Sequence, residues 1–166
     1  APFAYLGKDY DPVLQAVYTS IKPSDVYLER SILSGIFSDG LADSTPLYQL
    51  ISKYVDANFL KKIAYEYETN GRWLLIGTTN IDAGQPVIWN MGRIASIGTP
   101  ASLELFRRIM LASASIPGAF PPVMFDFLLD EQIFQEMHVD GGASTQVFLY
   151  PASAAVKAKE LGIQRR

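Results

Sequence analysis

One short segment limits the folds open to this chain more than any other. Trp73-Leu74-Leu75-Ile76 follows the turn signal Asn70-Gly71 and runs into Gly77-Thr78-Thr79. An apolar run this short, unbroken by polar residues, predicts a strand covered on both faces, as in a sheet packed under helices. Helical patterns surround it. Asp11 and Pro12 supply an N-cap and a first-turn proline for a helix to about Ser20, with Val13, Leu14, Val17 and Tyr18 on one face. Thr45-Pro46 repeats that signal ahead of Leu47, Leu50, Ile51, Tyr54 and Val55. A third helix is expected from Asn58 to about Glu68, closed by Asn70-Gly71, and a fourth opens at Thr99-Pro100 and carries Leu103, Phe106, Met110 and Leu111. Pro86 to Trp89 is a second strand candidate. Phe125 to Leu129 and Ile133 to Val139 predict a hairpin turning at Asp130-Glu131. Lys22 to Ser44 reads as loop with short pieces of structure, and a last helix is expected from Ala152 to Leu161. Helices alternating with buried strands give a layered α/β fold. Three helices ahead of the first clear strand suggest a sheet that lacks an N-terminal part.

Composition narrows the function classes. The 166 residues are 49% hydrophobic and 19% charged, enough for one folded domain. The net charge is −3 with no basic block, which argues against a nucleic-acid partner. With no cysteine and a single histidine, thiolate sites are excluded and no metal or other cofactor is expected. The longest uncharged run, Ile109 to Phe125, contains Pro117, Pro121 and Pro122 and so is no single spanning helix. The chain opens Ala1-Pro2-Phe3 with no Met and no basic leader, which reads as a processed or cut chain whose cellular location is set elsewhere.

Asp140 is the candidate for chemistry. It ends the expected strand Ile133 to Val139 and is followed by Gly141-Gly142. Strand alternation puts Phe134, Glu136, His138 and Asp140 on one face, and Ile133, Met137 and Val139 on the other. A carboxylate at a strand end, before a glycine pair that permits a sharp turn, stands where α/β folds place reactive groups. By itself Asp-Gly-Gly reads more simply as a turn. His138 reads more simply as structural than as a triad member. Ser113 and Ser115 lie at the end of a helix and outside any Gly-x-Ser-x-Gly elbow, so they too read as structural. The run Phe125, Phe127, Leu128 and Leu129 reads as core, with contact to lipid or a partner as the alternative.

Two motifs in order carry a resemblance. Leu111-Ala112-Ser113-Ala114-Ser115-Ile116-Pro117-Gly118-Ala119-Phe120-Pro121-Pro122, followed by His138-Val139-Asp140-Gly141-Gly142, resembles the patatin-like phospholipases. Leu74 to Asp82 is similar to the central strand of bacterial members, and Ala1 to Gly7 to the helix after their nucleophile elbow. The similarity is clearest over residues 31–151 of a single partial domain, 1–166. It implies a three-layer α/β/α sandwich, here incomplete, lacking its N-terminal strands and the elbow. It also implies a Ser-Asp dyad hydrolysing carboxylic esters of lipids through an acyl-serine, without metal or other cofactor. Of the implied site only Asp140, Gly141 and Gly142 map onto this chain, with Asp140 as the base. The serine and the glycine-rich oxyanion loop would lie upstream. The partners implied are a lipid or acyl-ester substrate, with peripheral membrane contact. A truncated sheet would add a homodimer, or association with the missing N-terminal part. The alternative is a non-catalytic lipid- or partner-binding module without a nucleophile, and a third reading is a complete enzyme using an internal serine with His138.

Overall fold

The computed structural model describes residues 1–20, 22–26, 28–29 and 42–144. Six helices lie among them: α1 (Pro2–Tyr5), α2 (Asp11–Ser20), α3 (Thr45–Tyr54), α4 (Ala57–Asn70), α5 (Met91–Ser96) and α6 (Pro100–Ala112). The strands are β1 (Leu28–Glu29), β2 (Ala42–Asp43), β3 (Leu75–Asn80), β4 (Gln85–Asn90), β5 (Val123–Leu129) and β6 (Gln132–Asp140). β1 and β2 form a small antiparallel ladder within the stretch expected to be loop. The other four make one antiparallel sheet in the order β4-β3-β6-β5. The fold is α/β, as the alternation of patterns predicts. The expected helix after Ala152 lies outside the described residues.

The helix ends show how local sequence sets these elements. Asp56 caps α4 by accepting the Phe59 N–H at 2.7 Å, and Gly71 closes that helix in the left-handed conformation at φ 61°. Thr99 and Ser102 form a reciprocal capping box on α6, with Pro100 in its first turn. At α3 the cap differs from expectation. Thr45 is already helical, and the Asp43 carboxylate receives both its N–H at 2.9 Å and its hydroxyl at 2.7 Å. Arg107 then reaches back from α6 to the far end of α3, donating to the carbonyls of Val55 at 2.8 Å and Ser52 at 3.3 Å. Carbonyls of the last turn, which have no partner within a helix, are thereby satisfied.

The core sits between the helices and one face of the sheet. Val55, Ile63, Met91, Phe106, Ile109 and Ala112 are wholly enclosed, and Ile76, Val123 and Phe125 join them from the strands. Phe3 of α1 packs on Phe59 with ring centroids 5.2 Å apart, which brings the chain start into the same core. β3 begins at Leu75 and takes in the Gly77-Thr78-Thr79 end of the expected strand. Its buried end is Thr78-Thr79-Asn80, three polar residues in succession. Among the described residues no helix is long and apolar enough to cross a membrane.

The β5–β6 hairpin forms as predicted. It turns through Asp130 at φ 48° and Glu131 at φ 64°, a pair of left-handed residues whose twist suits a two-residue connection. The core reading of its apolar run is corrected. Val123 and Phe125 at the base are buried, but Leu128 is 75% and Ile133 73% exposed, and Phe127, Leu129 and Phe134 are also open to solvent. The ladder continues for several pairs past the part that the core covers.

Candidate active site

β6 delivers Asp140 to the end of the sheet beside β3, where it lies opposite Thr78. Residues directly opposite share a face, so the register puts Thr78, Asn80, His138 and Asp140 on one side, as strand alternation predicts. The backbone of Asp140 is fixed on both sides. Its N–H donates to the Ser115 carbonyl at 2.9 Å, and its carbonyl accepts from the Thr79 hydroxyl at 3.0 Å. The first of these bonds joins the two distant motifs, Ala112 to Pro122 and His138 to Gly142, in one place.

The side chain is held more lightly. Oδ1 accepts the Gly142 N–H at 3.0 Å. No hydrogen bond to Oδ2 is present among the described residues, and the side chain is partly open to solvent. The reason for the glycine pair is also corrected. Neither Gly141 nor Gly142 has positive φ; together with Ala143 they make one turn of 3-10 helix. A Cβ at Gly142 would stand 3.6 Å from Oδ2 of Asp140, ordinary contact distance. Glycine there leaves the approach to the carboxylate open and is not required by the turn.

The serines take the structural role expected of them. Ser115 is wholly buried and its hydroxyl donates to the Leu111 carbonyl at 2.9 Å, while Ser113 donates to Met110 at 2.9 Å. Both hydroxyls bond back onto the last turn of α6. Neither hydroxyl is hydrogen-bonded to Asp140 or His138.

His138 is also wholly enclosed. Its Nδ1 lies 2.8 Å from the Thr78 hydroxyl and its Nε2 3.1 Å from a Glu136 carboxylate oxygen. Thr78 in turn accepts the Trp89 indole N–H at 2.8 Å. The rings of Phe125 and Trp89 pack on the imidazole, with centroids 4.9 Å and 5.6 Å away. The residues missed from sequence are therefore Thr78, Thr79 and Trp89. The signal available was the change from apolar to three polar residues inside a strand that the pattern buries, since buried hydroxyls and amides require partners.

A family model described as patatin-like phospholipase matches residues 1–153. A search of curated proteins gives no match. The family match begins at residue 1, so it takes in α1 and α2 as well as the segments that carry the resemblance most clearly. The matched range includes both segments whose backbones meet at Asp140, and the chain belongs to the patatin-like phospholipase family.

Proposed function

We propose that Asp140 is the general base of a Ser-Asp dyad in a lipid acyl hydrolase, its serine and oxyanion loop being supplied by sequence upstream of these residues. The observation that carries this reading is the asymmetry at Asp140. Its backbone is anchored to Ser115 and Thr79, while the carboxylate keeps Oδ2 unengaged and partly open. A base must be fixed in direction and have a lone pair within about 2.6–3.2 Å of the proton it takes. Asp140 Oδ2 would accept the serine proton as the hydroxyl attacks the ester carbonyl. It would return that proton to the leaving alcohol when the acyl-serine forms. Water would then attack the acyl-serine and give a proton to Asp140, which returns it to the serine oxygen as the acyl group leaves as the free acid. No histidine is needed in this scheme, in keeping with the enclosure of His138 away from solvent.

The test is turnover of a p-nitrophenyl ester by the protein carrying the upstream Gly-x-Ser-x-Gly elbow. Asp140→Asn keeps the shape of the side chain and removes its basicity. Activity is expected to fall about a hundredfold or more. Unchanged turnover would remove Asp140 from the chemistry.

A second reading, a lipid- or partner-binding module, is favoured by one observation. The tip of the β5–β6 hairpin exposes Leu128 and Ile133 on one face, and Phe127, Leu129 and Phe134 on the other. Apolar surface concentrated on a projecting element marks a contact site more often than chance exposure does.

A further inference from the structure

We infer that His138 is a positioning residue for Asp140: it captures the hydroxyl proton of Thr78 and so keeps Oδ2 of the neighbouring carboxylate unengaged. The inference deepens the reading of Asp140 as a base and rests on it. It begins from proton bookkeeping in the chain Trp89–Thr78–His138–Glu136. An indole N–H only donates, so the Thr78 oxygen must accept from Trp89. An ionised carboxylate only accepts, so Nε2 of His138 must carry a proton to meet Glu136. A neutral imidazole then has a bare Nδ1, and the bond at 2.8 Å to Thr78 needs the threonine hydroxyl as donor.

The direction of that proton matters because of where Thr78 stands. It is directly opposite Asp140 in the ladder and on the same face. Opposed Cβ atoms in an antiparallel pair lie about 4.5–5.5 Å apart. A threonine hydroxyl rotating about χ1 is therefore within reach of the opposing carboxylate. A hydrogen bond from Thr78 would favour the ionised form of Asp140 and weaken it as a base. His138 is the alternative acceptor. Its position is fixed by Glu136 on one nitrogen and by Phe125 and Trp89 on the ring faces and edges. The burial of this group, which a chain needing only a strand residue would not require, is explained by that task.

Other charged groups do not compete for the role: Arg108 of α6 lies over the Phe125 ring, 5.5 Å from its centroid, and donates to the Met124 carbonyl. β3 (Leu75–Asn80) and the segment from Ala112 to Ile116 bring none. On β6 the nearest is Glu136, engaged with His138, and Asp82 is bonded to the Met137 N–H at 2.6 Å.

The experiment is a carbon-13 NMR titration of the Asp140 carboxyl in the full 166-residue chain, using aspartate labelled at Cγ. His138→Phe removes the acceptor and releases the Thr78 hydroxyl toward Asp140. The Asp140 midpoint is expected to move about one pH unit lower than in wild type, the size of one hydrogen bond to the ionised form. His138→Asn places an amide oxygen where Nδ1 stood, and is expected to keep the wild-type midpoint. Thr78→Val added to His138→Phe removes the proton itself and is expected to restore it. A His138→Phe midpoint equal to wild type overturns the inference, and so does a shift that Thr78→Val fails to reverse. If phenylalanine is not accommodated, His138→Leu removes the acceptor with less volume and is read in the same way. Because the titration needs neither serine nor substrate, it is decided separately from the base role, which the turnover of Asp140→Asn decides.

Discussion

Asp140 owes its placement to its backbone, and Thr79 makes half of that attachment. The Thr79 hydroxyl bonds to the Asp140 carbonyl at 3.0 Å and to the Ser144 hydroxyl at 2.8 Å, at a position only 5% exposed. Thr79→Val has nearly the same shape and cannot make either bond. It leaves a carbonyl and a hydroxyl without their partner, a loss of about 1–2 kcal/mol. In urea unfolding this would appear as a lower midpoint with an unchanged slope. A midpoint equal to wild type would mean that the strand end is held without Thr79. At this scale the sequence reveals the carboxylate but not its surroundings. Alternation along β6 suffices to put Glu136, His138 and Asp140 on one face. The polar run Thr78-Thr79-Asn80 signals that buried groups need partners, but the sequence does not say which partners they are. Their partners, Trp89 and Asp140, come from other strands, so the pairing is visible only once the register is known.

Between elements, α5 approaches α4 closely. Gly92 in α5 is buried against Tyr67 of α4, and a Cβ built on Gly92 would meet Tyr67 Cγ at 2.6 Å and Tyr67 Cβ at 2.8 Å. Those atoms lie near the backbone of α4 and are not the free end of a flexible side chain. Gly92→Ala would raise intrinsic helix propensity by about 1 kcal/mol. The overlap requires the helices to separate, which costs about 1–3 kcal/mol in a packed interior. The steric effect is expected to win, so thermal unfolding of Gly92→Ala should occur below that of wild type. A higher melting temperature would show that α5 shifts freely. This helix is also the one that pattern reading does not find. Six residues with a glycine at the second position are too few to display a helical period, and its start depends on Asn90 accepting the Arg93 N–H at 3.0 Å. The longer α4 and α6 were legible from caps and periodicity because both signals repeat over three turns or more.

For the whole molecule the unresolved balance is between the covered base of the β5–β6 hairpin and its bare tip. Periodicity and the Asp130-Glu131 turn predict the hairpin, yet they carry no information on how far the helical layer reaches over it. That reach is a property of the packed fold, and it ends near Phe125. Beyond it the exposed side chains occupy both faces of the ladder, and among the described residues β5 is an edge strand of this sheet, with its Met124 carbonyl accepting from Arg108. Asp126 lies at the middle of β5. A second copy pairing in register there would set carboxylate against carboxylate, whereas a register centred on Phe127 would place Asp126 opposite Leu128. The acidic residues Asp126, Asp130, Glu131 and Glu136, with no Lys or Arg between Val123 and Asp140, also favour neutral over anionic lipid surfaces. We expect the wild-type chain to self-associate across a concentration series in sedimentation velocity and to co-sediment with phosphatidylcholine vesicles. The double variant Leu128→Ser, Ile133→Ser changes only exposed positions, so its unfolding midpoint should stay within about 0.5 kcal/mol of wild type while both associations weaken. Wild-type protein that remains monomeric and ignores vesicles would show that the tip is not a contact surface. Association undiminished in the double variant would place the contact elsewhere on the chain.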